Sequence, residues 1–224
     1  VMFETLMGEL GDQFDCVAPD TPGFGGTDAP PEPGSIALYA RVLADALSAL
    51  GIERCLLFGH HTGVSIAVQM LHDRPALAER LALSGPCLLT PEAAADFATK
   101  TQGMVLKEDG SHLQVVWERI QGKDAEAPLE LKQREAMLTL VAGTRWHEGY
   151  HAVFEHAEFG AQLAAVACPT LVFAGDKDTV YHLLRPSFDL LQDGEMAVIP
   201  GQTTYSCDRA PAEVAALLGA FFSA

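Results

Sequence analysis

Leu56-Leu57-Phe58-Gly59-His60-His61-Thr62-Gly63 is the run from which the rest of the chain can be organised. Its apolar half has the length of a strand covered on both faces, and the glycines at 59 and 63 let the backbone bend where the strand stops. Further short apolar runs lie on either side, and we expect strands at Phe14 to Ala18, Cys55 to Gly59, Leu81 to Ser84, Thr170 to Gly175 and Met196 to Pro200. Between the first two, Ile36, Tyr39, Ala40, Leu43, Leu47 and Leu50 recur at helical spacing behind Ser35, a side chain suited to cap a helix, and Gly51 supplies the stop. A closing helix is expected from Ala212 to Phe222, with Pro211 in its first turn and Glu213 near its positive end. Short strands alternating with amphipathic helices predict an α/β fold: a mostly parallel, doubly wound sheet with helices on both faces.

From Thr90 to about Ala165 the strand signal disappears. Pro91, the turn Asp109-Gly110-Ser111 and Pro128 divide that stretch into what read as four helices. The expected organisation is a first core part over 1–89, a helical insertion over 90–165, and a second core part over 166–224.

Composition narrows the function. The chain has 224 residues, 49% hydrophobic and 20% charged, which suits one large globular domain. With 14 Lys and Arg against 30 Asp and Glu the net charge is −16, which repels nucleic-acid phosphates and anionic lipid surfaces. No apolar stretch approaches the roughly 18 residues of a membrane span. The five cysteines are odd in number and widely spaced, unlike a disulfide framework or metal knuckles, which points to a reducing, cytoplasmic setting. We expect a small-molecule ligand as the partner, with no nucleic acid and no membrane, and no cofactor or metal. Oligomeric state is not readable.

The run Phe14-Asp15-Cys16-Val17-Ala18-Pro19-Asp20, followed by Pro22-Gly23-Phe24-Gly25-Gly26-Thr27-Asp28, resembles a strand and loop of the α/β-hydrolase fold. Leu56 to Gly63 is similar to that family's strand, nucleophile elbow and helix start. Cys168 to Asp178 resembles its acid-bearing strand, and Val198-Ile199-Pro200-Gly201 the strand before its catalytic histidine. The resemblance implies that the helical insertion is the family's cap and that further strands, roughly 30 residues with their turns, precede Val1. It also implies one oxyanion-hole N–H from Thr62 and a second from a loop upstream of Val1.

The family's nucleophile position holds His61 instead of Ser, Asp or Cys, and its histidine position holds Thr204; no histidine follows His182. Only Asp178 keeps its family role. The two substitutions are complementary in size. An imidazole at 61 projects about 3 Å further than a serine hydroxyl, toward the space left at Thr204 and toward Asp178. His also tolerates positive φ. We therefore expect a relocated dyad in which Asp178 fixes the His61 tautomer, His61 moves a proton, and Thr204 offers a hydroxyl.

The implied function is hydrolysis, or binding, of a small apolar ester, lactone or epoxide. A catalytically inactive ligand-binding homologue and a His-based lyase or isomerase are the alternatives. His60 reads as packing. His147-Glu148-Gly149-Tyr150-His151 matches H-E-x-x-H, the zinc-protease string, but carries a helix-weakening glycine and no obvious continuation. We expect an amphipathic helix there, with Trp146, Tyr150 and Phe154 lining the ligand site.

Overall fold

The computed structural model describes residues 2–224. Chain order runs α1 (Glu4–Leu10), α2 (Ile36–Ala49), β1 (Cys55–His60), α3 (Thr62–Asp73), β2 (Ala78–Ser84), α4 (Pro91–Lys100), α5 (Ser111–Lys123), α6 (Leu129–Ala142), α7 (Glu148–Phe154), α8 (Phe159–Ala164), β3 (Thr170–Gly175), α9 (Leu184–Phe188), β4 (Gly194–Ile199), α10 (Ser206–Arg209) and α11 (Pro211–Phe222). The strands form one sheet in the order β1-β2-β3-β4, and every neighbouring pair is parallel.

Alternation along the strands sorts the core into two layers. Leu83, Val172 and Ala174 join α2, α3 and α8 on one face, while Ala82, Leu171, Phe173 and Ile199 meet α1 and α11 on the other. All six residues of β3 are buried, as an apolar strand covered on both sides must be. The doubly wound, mostly parallel sheet follows from these pairings.

Local signals account for the element ends. The Ser35 hydroxyl accepts from the Leu38 N–H at the start of α2, and Gly51 takes φ 76° just after its end. Thr90 caps α4, with Pro91 in its first turn. Pro211 opens α11 in the same way.

Two expectations need correction. Phe14 to Ala18 is not a strand; the segment carries no ladder, because β1 is an edge of the sheet and no strand lies beside this run among the described residues. It is held by packing instead, Phe14 meeting Phe222 edge-on and Cys16 resting on the α1–α11 layer. The stretch between β2 and β3 contains five α-helices, α4 to α8, rather than four, because a short 3₁₀ turn at Gly143–Arg145 separates α6 from α7. Gly143, at φ 70°, makes that break.

Candidate functional site

The site is assembled at the ends of β1, β2, β3 and β4. One residue, His61, separates β1 from α3, and at φ 48°, ψ −108° it is the one non-glycine with positive φ among the described residues. The strain is imposed from both sides: the His61 N–H donates to the Ser84 carbonyl at 2.9 Å, and its carbonyl accepts from the Val64 N–H at 2.9 Å. The two glycines of the motif do different work. A Cβ at Gly59 would lie 2.4 Å from the Gly63 carbonyl oxygen, so β1 and α3 approach this closely only because residue 59 has no side chain. At Gly63 a Cβ would meet nothing within 4 Å.

This backbone aims the imidazole at two other elements. His61 Nε2 lies 2.9 Å from Asp178 Oδ2 and 3.1 Å from Thr204 Oγ1. The Nε2–H is thus shared between the carboxylate and the threonine oxygen, and the Thr204 hydroxyl keeps its own proton free to donate. The Asp178 side chain is 1% exposed and that of His61 23%, so the ring keeps contact with solvent while its partner does not. Asp178 Oδ1 accepts from the Val180 N–H at 3.0 Å, which fixes the carboxylate in its loop after β3.

Charge follows geometry. Burial works against a charged His61, but the bond to Asp178, then the neighbouring Cys87 side chain and the Asp178 charge, more than offset it and carry the ring up to about 10. Burial likewise opposes the Asp178 carboxylate, yet the His61 bond and charge hold it below the usual range. His60 goes the other way: burial, then the neighbouring His61 charge, push it down to about 3. His60 Nε2–H donates to the Thr204 carbonyl at 3.0 Å, and Nδ1 accepts from the Ser84 hydroxyl at 3.0 Å. Adjacent histidines are thereby divided into a neutral ring that locates Thr204 and a charged ring held by Asp178.

The helical segment carries an aromatic cluster of its own. Trp146 is buried with the Arg119 guanidinium 3.9 Å over its ring, and Trp146, Tyr150 and Phe154 form a ladder with ring centroids 5.7 and 6.5 Å apart. Much of Trp146 is therefore occupied by packing. The Tyr150 hydroxyl accepts from Arg119 Nη2 at 2.8 Å. Burial would raise Tyr150, but the charges of Lys123 and Arg119 outweigh it and hold the phenol below its ordinary range. At the end of α5, Asp124 Oδ2 accepts from the Thr203 hydroxyl at 2.8 Å and pairs with Arg209, pinning the loop that carries Thr204.

The H-E-x-x-H string makes contacts with neighbouring loops. Glu148 binds Arg145 and the Gly34 N–H, while Arg145 also donates to the carbonyls of Pro30 and Glu32, tying α7 to the 30–34 loop. His151 Nε2–H donates to the Thr101 carbonyl at 2.8 Å. Among the described residues no group of three or more His, Cys, Asp and Glu side chains is placed to hold a metal ion. Surface depressions along α2 and α3, lined by Ser48, Arg74, Ala44 and Met70 among others, include none of the site residues.

Sequence reasoning passes over the backbone at Gly85. The glycine at the end of a strand, in Ser84-Gly85-Pro86-Cys87, is the available signal: a Cβ at Gly85 would lie 2.6 Å from His61 Nε2, so the imidazole lies directly on this backbone.

Comparison with known proteins agrees with the architecture. A family model described as alpha/beta hydrolase fold matches residues 1–185. The putative carbamate hydrolase RutD of Klebsiella pneumoniae is 28% identical over 186 residues, covering 75% of this chain and 65% of that protein. Among solved structures, a hydrolase from Pseudomonas aeruginosa PA01 superposes with TM-score 0.83 at 21% identity, covering 100% of this chain and 85% of the other. The enol-lactonase from Burkholderia xenovorans LB400 superposes with TM-score 0.76 at 17% identity, covering 100% and 86%. The chain spans less than two thirds of the length of the curated relatives it matches.

Proposed function

The chain belongs to the alpha/beta hydrolase fold family, and on that premise we propose that it hydrolyses a small, largely apolar ester, lactone, carbamate or epoxide, with His61 as the proton carrier. The observation that carries this reading is the 2.9 Å bond from His61 Nε2 to Asp178 Oδ2 at a forced turn between strand and helix. Asp178 orients the ring and favours its charged form. The charged ring returns a proton to the departing oxygen, and the neutral ring accepts one from the attacking water.

Anionic charge on the substrate oxygen is met by the Thr62 N–H at the positive end of α3 and by the free Thr204 hydroxyl proton. Residues 90–165 act as a cap over the sheet ends, with Tyr150 and Phe154, and the exposed part of Trp146, lining the ligand space. RutD and the enol-lactonase are named for carbamate and lactone cleavage, which sets the panel of substrates to try.

The test is a panel of chromogenic esters, lactones and carbamates. His61→Ala is expected to lower turnover by at least ~100-fold, and Asp178→Asn by a comparable factor, with folding checked by circular dichroism. Turnover unchanged in folded His61→Ala would refute the reading. Ligand affinity with no turnover across the panel would assign a binding role instead.

A further inference from the structure

We propose that Asp124, in the helical insertion, is a positioning residue that aims the Thr204 hydroxyl at the reacting oxygen of the substrate. The inference rests on the reading of Thr204 as a donor to that oxygen and adds what holds the donor in place. A turn of about 120° around the Cα–Cβ bond of a threonine exchanges its hydroxyl for its methyl group. Where the hydroxyl sits therefore depends on how the backbone at 204 is held. β4 ends at Ile199, so the sheet ladder does not reach Thr204.

Side chains hold it instead. From β1, the His60 Nε2–H donates to the Thr204 carbonyl at 3.0 Å. From the insertion, Asp124 Oδ2 accepts from the Thr203 hydroxyl at 2.8 Å, and the same hydroxyl oxygen accepts from the Tyr205 N–H in a longer bond of 3.4 Å. Thr203 and Tyr205 are thereby joined across Thr204. By taking the hydroxyl proton, Asp124 leaves the Thr203 lone pairs to face Tyr205. Asp124 is 7% exposed and its carboxylate is fully engaged: Oδ2 also pairs with Arg209 at the end of α10, and Oδ1 accepts from the Glu126 N–H at 3.0 Å. Hydrogen bonds to a carboxylate are stronger than those between neutral groups. The same elements are tied again nearby. Arg134 of α6 pairs with Asp208 of α10 at 2.8 Å, and Ala127 and Leu131 pack with buried Tyr205.

The insertion thus acts on the reaction through a residue that never touches the substrate. With the Asp124 bond removed, the loop keeps its hold on His60, but Thr204 is free to turn its methyl group toward the site. The transition-state oxygen then loses a donor while ground-state binding changes little. The loss falls on kcat and not on KM, and it vanishes once residue 204 has no hydroxyl to aim.

The experiment has two arms on the whole chain. With the best substrate of the ester, lactone and carbamate panel, Asp124→Ala and Thr203→Val are each expected to lower kcat by ~10-fold with KM within ~2-fold, and Thr203→Ser, which keeps the hydroxyl, to restore most of kcat. Repeated in a Thr204→Val background, the same two substitutions are expected to cost less than ~2-fold more. Equal factors in both backgrounds overturn the proposal, because Asp124 then acts on something other than Thr204. The second arm needs no substrate: amide hydrogen exchange is followed by NMR. In Asp124→Ala the Tyr205 N–H is expected to exchange at least ~10-fold faster, while the amides of β3 keep their wild-type rates. Should Asp124→Ala fail to fold because Arg209 is left unpaired, Asp124→Ala combined with Arg209→Met serves in both arms. Unchanged Tyr205 exchange overturns the proposal. A wild type without turnover whose Tyr205 amide responds in this way brings down the hydrolytic reading and upholds Asp124 as the residue that positions Thr204.

Discussion

At the scale of single residues, the His61–Asp178 pair makes stability depend on pH in a stated direction. The folded-state value of His61, about 10, lies above its ordinary 6.5, so the folded chain holds a proton that the unfolded chain releases between those values. The contribution is complete below pH 6.5 and is lost as pH rises toward 10. A tenfold tighter hold on the proton corresponds to about 1.4 kcal/mol. Urea unfolding is expected to show the wild type losing a few kcal/mol across this window, and Asp178→Asn losing much less, because its ring is no longer held charged. Parallel slopes for the two proteins would contradict this assignment. At this scale the sequence is partly legible. A large residue at 61, a small one at 204 and an acid at 178 can be brought together because the resemblance to the α/β-hydrolase fold implies that each follows a strand at the same end of the sheet. The Gly85 backbone cannot, since how it lies against the His61 ring is encoded by no spacing.

At the scale of elements, the sharp turn between β1 and α3 separates two glycines that look equivalent in sequence. Gly59→Ala would drive a Cβ into the Gly63 carbonyl, and a loss of roughly 3 kcal/mol or failure to fold is expected. Gly63→Ala has room in the first turn of α3 and is expected to be neutral or to stabilise by up to ~1 kcal/mol, since alanine is the better helix former. Thermal melts of the two variants check the contrast; equal losses would show that the close contact is not at residue 59. Helices with caps are readable from local signals, as in α2 and α11. Phe14 to Ala18 reads as a strand and is none, because a strand is a property of two chains of backbone, and an apolar, β-prone run remains a loop without a neighbour. The H-E-x-x-H string misleads in a related way, since Glu148 is drawn to Arg145, whose attachment to the 30–34 loop is invisible from spacing alone.

At the scale of the whole molecule, layer order and parallel pairing are the most legible features, because burial on both faces writes apolar runs into the central strands β2 and β3. The net charge of −16 acts at this scale as well. It raises the barrier for anionic substrates by a long-range field that salt screens within about 10 Å at 0.1 M. For an ester carrying a carboxylate, kcat/KM is expected to rise several-fold between low and moderate salt, while a neutral ester of the same size stays flat; equal responses would remove the field from the explanation. No helix among the described residues is long and apolar enough to cross a membrane. β1 has a strand on one side only, which leaves a row of amide and carbonyl groups along its outer margin without a ladder partner among the described residues. Those groups point outward in the plane of the sheet, so any strand that comes to lie along this margin would extend the sheet by direct backbone pairing.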